Sequence, residues 1–420
     1  MKSKILRKKY PRFIYRNYGY EIKGGDLKIS FFFEIPPGIS FRPQIIIKKL
    51  SRTHLVPTRN VLDNLIFHVG LIEMLSYWKA TCSPKIIIEA GYLNKEQISW
   101  WKNLIIKGMG QFFYENKINW RKSNFLTIAS NRLNYPMVEL RRTDIKLKNK
   151  HLVPMGGGRD SIVTLEKLRR ARKKINAFTV NPTKAAKDVL RVAGIKNPII
   201  VERKIDPKLL ELNKEGALLN GHTPFTALLS FLSVFCAVLF GYKNIAFSNE
   251  KSANEGNVKY LGRIINHQWA KSSEFEKMFK YYCKKYLAKN INYFSYLRKY
   301  GELEISKMFA KYPKYFSVFS SCNLGSKIGE RWCGKCPKCL FVYISLYPLL
   351  RNKDLLKIFG KDLLQDKKLL PLMKSLIGEG IHKPFECVGT YQESREAALL
   401  SFEEARKLGK IPYLLKQVRL

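Results

Sequence analysis

Cys322, Cys333, Cys336 and Cys339 follow a C-x10-C-x2-C-x2-C pattern, with Gly334 and Pro337 supplying turns between them. Four thiols so spaced can converge on one centre, and four thiolates are a common donor set for structural zinc. An iron–sulfur cluster, disulfides or unlinked thiols are the other readings; zinc is preferred, with iron–sulfur second, because disulfides suit a reducing compartment poorly. Zinc held by four thiolates has no open position, so its expected role is structural. Cys82, Cys236, Cys283 and Cys387 are isolated in sequence, and Cys236 and Cys283 read as core residues.

A second chemical signal is Gly156-Gly157-Gly158-Arg159-Asp160-Ser161, placed between a strand-like run and a helix-like run. Glycines permit close backbone approach, and the helix start offers free amides and the positive end of the dipole to phosphate. The Ser161 hydroxyl can donate to phosphate, and Asp160 can ligate Mg²⁺ or simply cap the helix. A third signal is the polar loop from Ser248 to Asn257, directly after a strand, where α/β proteins bind ligands. Within it Ser248, Asn249, Glu250, Asn254, Glu255 and Asn257 are candidate nucleotide or metal contacts. His222, His267 and Cys387 each sit in a polar motif and can exchange a proton near neutral pH, which makes them candidate bases.

The elements that must position these groups follow from pattern. Residues 27–49 alternate β-rich runs with turn signals, residues 59–80 have helical spacing, Ile86–Ile88 is strand-like and Asn94–Ile106 helical. Trp78, Trp100 and Trp101 fall on the apolar sides of these helices as core. From Lys150 onward strand, glycine turn and helix alternate, which predicts a parallel sheet covered by helices. After about residue 272 the text is mostly helical, ending in an amphipathic stretch from Gln392 to Leu408. The expected fold is therefore α/β: an N-terminal α+β domain (1–146), a parallel-sheet nucleotide-binding domain (147–271) and a mainly helical region carrying the cysteines (272–420).

Lys and Arg number 76 against 33 Asp and Glu, a formal net charge of +43. Such a surplus favours anionic partners, either nucleic acid or phosphorylated small molecules, although lysines spread along the whole chain also read as compositional bias. No apolar run of signal-peptide length follows the basic first residues, so a cytoplasmic protein is expected. The uncharged stretch 223–242 approaches the roughly 20 residues of a membrane span. It is single, carries Thr226, Ser230 and Ser233, and leads at once into a strand-like run, so a buried central helix is expected instead.

The hexapeptide resembles the Ser-Gly-Gly-x-Asp-Ser loop of PP-loop ATP pyrophosphatases, with Gly156 in place of the first serine. Together YWKATCSP (77–84), GGGRDS (156–161), GHTPFTA (221–227), SNEKSANEGN (248–257), NHQWAKS (266–272), SCN (321–323), WCGKCPKCLF (332–341) and KPFECVG (383–389) resemble the UDP-N-acetylmuramoyl-L-alanyl-L-glutamate epimerase family. That resemblance implies an adenine nucleotide hydrolase-like fold. It implies inversion of the terminal L-glutamate of a UDP-muramoyl dipeptide in peptidoglycan precursor synthesis, with ATP and Mg²⁺ consumed to an acyl-adenylate, AMP and pyrophosphate. Two readings compete with it: an RNA-modifying PP-loop enzyme, favoured by charge, and a non-catalytic nucleotide- or zinc-binding protein, favoured by the missing serine.

Overall fold

The computed structural model describes residues 2–50, 58–130, 146–380 and 382–419. Its strands, in chain order, are β1 (Arg12–Lys23), β2 (Asp26–Ile35), β3 (Ile39–Phe41), β4 (Gln44–Ile47), β5 (Lys85–Ile88), β6 (Thr127–Ser130) and β7 (Lys148–Pro154). They continue as β8 (Ile175–Val180), β9 (Ile199–Lys204), β10 (Tyr242–Phe247), β11 (Val258–Tyr260), β12 (Arg263–Ile265) and β13 (Asn292–Ser295). Eleven of them form one sheet in the order β13-β10-β7-β8-β9-β4-β2-β1-β5-β6, with β3 on β2. The run from β13 to β9 is parallel. The sheet then passes through the antiparallel contact of β4 with β9 into the N-terminal meander.

Alternation along the central strands explains why both faces are covered. Leu152, Phe178, Ile245 and Phe247 enter one hydrophobic core, while their neighbours Val153, Ala177 and Ala246 enter another on the opposite side. The helix Phe225–Phe240 fills the first core, and the helices Arg159–Arg170 and Lys184–Val192 contribute to the second. A burial demand on both faces is what the repeated strand–helix text encodes.

The helix Phe225–Phe240 accounts for the uncharged stretch. Its buried hydroxyls are satisfied internally, Ser230 donating to the Thr226 carbonyl at 2.8 Å and Ser233 to that of Ser230 at 2.8 Å. Gly241, at φ 73°, ends it in the left-handed conformation, and β10 begins at once. Among the described residues no helix is long and apolar enough to cross a membrane. Trp78 and Trp101 are fully buried and Trp100 nearly so, and Cys236 and Cys283 lie in the core.

In the parallel run, the chain proceeds outward from β7 to β8 and β9 on one side, then returns to lay down β10 and β13 on the other. The carboxyl ends of β7 and β10 thus flank the point where connections depart in opposite directions, which in open parallel sheets leaves a crevice for ligands. The glycine loop follows β7 and the polar loop follows β10.

Candidate functional site

A cavity of about 740 Å³ opens at that point. Gly156, Gly158, Asp160 and Ser161 line it from the first loop, and Ser248 and Asn249 from the second. The end of β8 and the start of the next helix, Phe178 to Val180 and Thr183 to Ala185, form a further wall. Gly158 is the cap residue of the helix Arg159–Arg170, and no side chain caps that end. Its first-turn amides are thereby left for a ligand on the cavity side. Gly157 is required by geometry: φ is +87°, and a Cβ there would stand 2.7 Å from the Ala186 amide nitrogen. At Gly156, by contrast, a Cβ would meet nothing within 4 Å.

Behind this loop lies a buried charge cluster. The Arg159 guanidinium bonds Glu302 and the Ser306 hydroxyl (2.6 Å) and sits 3.3 Å from Asp160. Burial alone would raise the Asp160 carboxyl, but Arg159, Lys338 and Lys271 outweigh it and hold the group below the ordinary range, as an anion. Glu250 is 1% exposed, and its Oε2 has no hydrogen-bond partner. Burial, with Asp160 and Cys387 adding to it, pushes this carboxyl up against the opposing pull of Lys271. Burial would lower Lys271, yet Cys387, Glu250 and Asp160 around it reverse that and keep the ammonium charged.

Lys271 and Lys338 are cavity-lining residues that sequence reasoning passed over. Both lie inside quoted motifs, NHQWAKS and WCGKCPKCLF, where attention fell on the histidine and the cysteines. With Lys184, Lys327 and Arg331 they give the cavity five basic side chains against the three carboxylates Asp160, Glu330 and Glu386. The site is therefore biased toward anions locally, which the chain-wide surplus could not establish.

Of the three candidate bases, Cys387 lines the cavity, where it interacts electrostatically with Lys271. His222 and His267 are not among the lining residues; they pair with each other, ring centres 4.5 Å apart. His267 Nδ1 meets Gln111 Oε1 at 2.5 Å, and Glu386 on the cavity wall acts on it electrostatically. Burial pushes His267 down to about 4 and His222 to about 3, so both are neutral bases at pH 7. Asn254, Glu255 and Asn257 also stand off the cavity. Asn254 accepts from the Ser273 amide (2.9 Å), Glu255 from Lys383 (3.0 Å) and the Tyr391 amide (3.1 Å). Asn257 donates to the Pro384 carbonyl (2.7 Å) and accepts from the His267 amide (2.8 Å). The polar loop thus braces the segment that carries Cys387.

The four cysteines converge: Sγ separations are 3.7 Å for Cys322–Cys336, 3.8 Å for Cys333–Cys339 and 3.5 Å for Cys336–Cys339, and all four lie within 4.8 Å of one another. Tetrahedral thiolates at about 2.3 Å from a metal sit about 3.8 Å apart, so the set can hold one ion. The Gly325 amide donates to Cys322 Sγ at 3.1 Å, a contact that suits a ligating thiolate.

The chain matches the MurL N-terminal domain over residues 4–296 and the MurL C-terminal domain over residues 318–417. Three curated relatives carry the name UDP-N-acetyl-alpha-D-muramoyl-L-alanyl-L-glutamate epimerase. The protein of Micromonospora sp. is 33% identical over 93% of this chain and 87% of its own length. That of Salinispora tropica is 32% identical over 94% and 85%. That of Xanthomonas oryzae pv. oryzae is 36% identical over 78% and 72%. With both domains matched and these relatives aligned along most of its length, the chain belongs to the UDP-N-acetylmuramoyl-L-alanyl-L-glutamate epimerase family.

Proposed function

We propose that this protein is a cytoplasmic, ATP-dependent isomerase that inverts the terminal L-glutamate of UDP-N-acetylmuramoyl-L-alanyl-L-glutamate through an acyl-adenylate, supplying a peptidoglycan precursor. The observation that carries the reading is the convergence of the uncapped helix start at Gly158 and the anionic Asp160 on one cation-lined cavity, with the buried Glu250, which is off the cavity lining, interacting electrostatically with Asp160 and Lys271. Its volume falls within the roughly 300–1,000 Å³ of small-ligand sites.

The chemistry explains why ATP is needed. The α-hydrogen beside an ionised carboxylate is very weakly acidic, because its removal places a second negative charge next to the first. In the proposed first step the glutamyl α-carboxylate oxygen attacks the α-phosphorus of ATP and pyrophosphate leaves. The neutral acyl carbonyl can then take up the electron pair from the broken C–H bond as an enolate. Gly156, Gly158, Ser161 and the helix amides are assigned to the phosphates, and Lys271 to the negative charge that develops. Asp160 is assigned to Mg²⁺, which would neutralise triphosphate charge, with Ser248 and Glu250, whose buried Oγ and Oε2 have no hydrogen-bond partner, assigned as further oxygen donors. The cysteine site is assigned to structural zinc.

Cys387 is placed first as the group that takes the α-proton, because it alone of the three candidates lines the cavity; His267 and His222 are the alternatives. Reprotonation from the opposite face and hydrolysis of the adenylate return a carboxylate and AMP. In the test, protein, Mg-ATP and the L-glutamyl substrate are incubated in D₂O. AMP, pyrophosphate and product labelled at the glutamyl α-carbon should appear together. ATP left intact while the substrate inverts would overturn the adenylate scheme.

A further inference from the structure

The ten residues between Cys322 and Cys333 are not a remote appendage of the cysteine site. Asn323, Ser326, Lys327, Gly329, Glu330 and Arg331 line the cavity, as does Cys322 itself. Ser320, just before the first cysteine, donates its amide to the Gly157 carbonyl at 3.0 Å. A Cβ on Gly158 would stand 2.8 Å from Ser321 Oγ, so the cysteine-bearing segment is pressed against the glycine loop. At its far end Trp332 is buried between Phe319 and Phe359, ring centres 5.2 and 4.8 Å away.

From the next turn, between Cys336 and Cys339, Lys338 reaches into the same cavity. Its ammonium bonds the Cys387 carbonyl and lies 4.0 Å from Glu302. One cluster of thiols therefore ties both ends of a cavity wall and aims the lysine that secures the backbone of Cys387. We infer that the four-cysteine centre is the clamp of the active cavity, fixing the 323–332 wall, and that Lys338 is the positioning residue linking this clamp to the Cys387 segment.

The reasoning is one of closure. Ligation at Cys322 and Cys333 makes the intervening segment a ring, whose ends otherwise lose their common anchor at an entropic gain. The inference rests on the proposed function only for the identity of the ligand, and its test is arranged to separate the two. Amide exchange is measured by mass spectrometry on the full-length protein with its metal, after chelator stripping, and after return of equimolar Zn²⁺. Stripping should speed exchange in 323–332 and 386–388 by about tenfold or more while the helix Phe225–Phe240 stays protected, and zinc should reverse it. Mg-ATP affinity should fall in parallel.

Lys338→Met should retain zinc and the 323–332 protection, yet loosen 386–388 and lower the rate of α-hydrogen exchange roughly 10- to 100-fold, with Lys338→Arg restoring part of it. Unchanged exchange in 323–332 on stripping would overturn the clamp. So would acceleration spread equally through the helices Pro337–Leu346 and Tyr391–Lys407, which would mark a general stabiliser. Unaltered 386–388 exchange in Lys338→Met would remove the lysine from the scheme. The expected exchange pattern in a metal-loaded protein that never turns over ATP would refute the proposed function and leave the clamp intact.

Discussion

Alanine at position 157 should damage this protein, whereas alanine at position 156 should not. The Gly157 backbone has φ +87°, and an added Cβ would stand 2.7 Å from the Ala186 nitrogen and 2.9 Å from the Ala185 carbonyl carbon. These are backbone atoms at the start of the helix Lys184–Val192, so no flexible side chain can move aside. A left-handed residue with a Cβ costs about 1–2 kcal/mol, and forced overpacking typically costs about 1–3 kcal/mol. The two effects together come to about 2–5 kcal/mol, or a roughly 30- to several-thousand-fold shift in an equilibrium constant. The loss should appear either as reduced stability or as a displaced loop with weakened ATP binding. Denaturant unfolding and Mg-ATP titration on both variants, beside the wild type, measure the two routes. At Gly156 the space is open, so even Gly156→Ser, the residue found in PP-loop enzymes, should fold and bind normally. If Gly157→Ala matches Gly156→Ala in both assays, the close approach of the loop to the second helix is wrong.

Asp160→Asn should remain folded, since Arg159 keeps Ser306 and Glu302, but pyrophosphate release should fall at least about 100-fold; normal release would show that the loop does not handle the triphosphate. Among base variants, Cys387→Ser should lower α-hydrogen exchange by roughly 10²–10⁴-fold while leaving ATP binding intact, a larger loss than His267→Ala or His222→Ala. Equal exchange in Cys387→Ser and the wild type would move the role to the histidine pair. His68, buried against the Asn64 carbonyl (2.8 Å) and the Tyr282 hydroxyl (3.0 Å), is pushed by burial down to about 4. The unfolded chain therefore binds the extra proton between about pH 6.5 and 4, and stability, complete above that window, should fall through it by about 3 kcal/mol. A His68→Phe variant should lose this share of the slope in denaturant titrations run at several pH values, the shares of His267 and His222 remaining, and an unchanged slope would refute the assignment.

How much of this was legible in the sequence depends on how local each signal is. The strand, glycine turn and helix of residues 150–192 could be read because period and turn chemistry are set by neighbours in the chain. The capping box of Asn94 with Gln97, which starts the helix Lys95–Gly108, is local in the same way. The cysteine spacing was legible for a related reason, since three of the four converging thiols come from the short stretch Cys333 to Cys339. The join of β4 with β9 was not, because an antiparallel contact between Ile47 and Val201 leaves no mark in either segment alone. Nor was β13, whose four residues Asn292–Ser295 become a strand only by extending the sheet beside β10.

The same argument accounts for the lysines. A lysine in a polar motif reads as solvated, one of 76 basic residues, until the fold encloses it. Lys271 becomes chemically distinct only because Asp160, Glu250 and Cys387, which lie far from it along the chain, are brought round it by the loops of β7 and β10 and by the segment after Lys383. A charge held in that way is kept by its surroundings and not by its neighbours in sequence. Residues whose function rests on such enclosure are the ones a single sequence hides, and the 740 Å³ cavity is where this fold concentrates them.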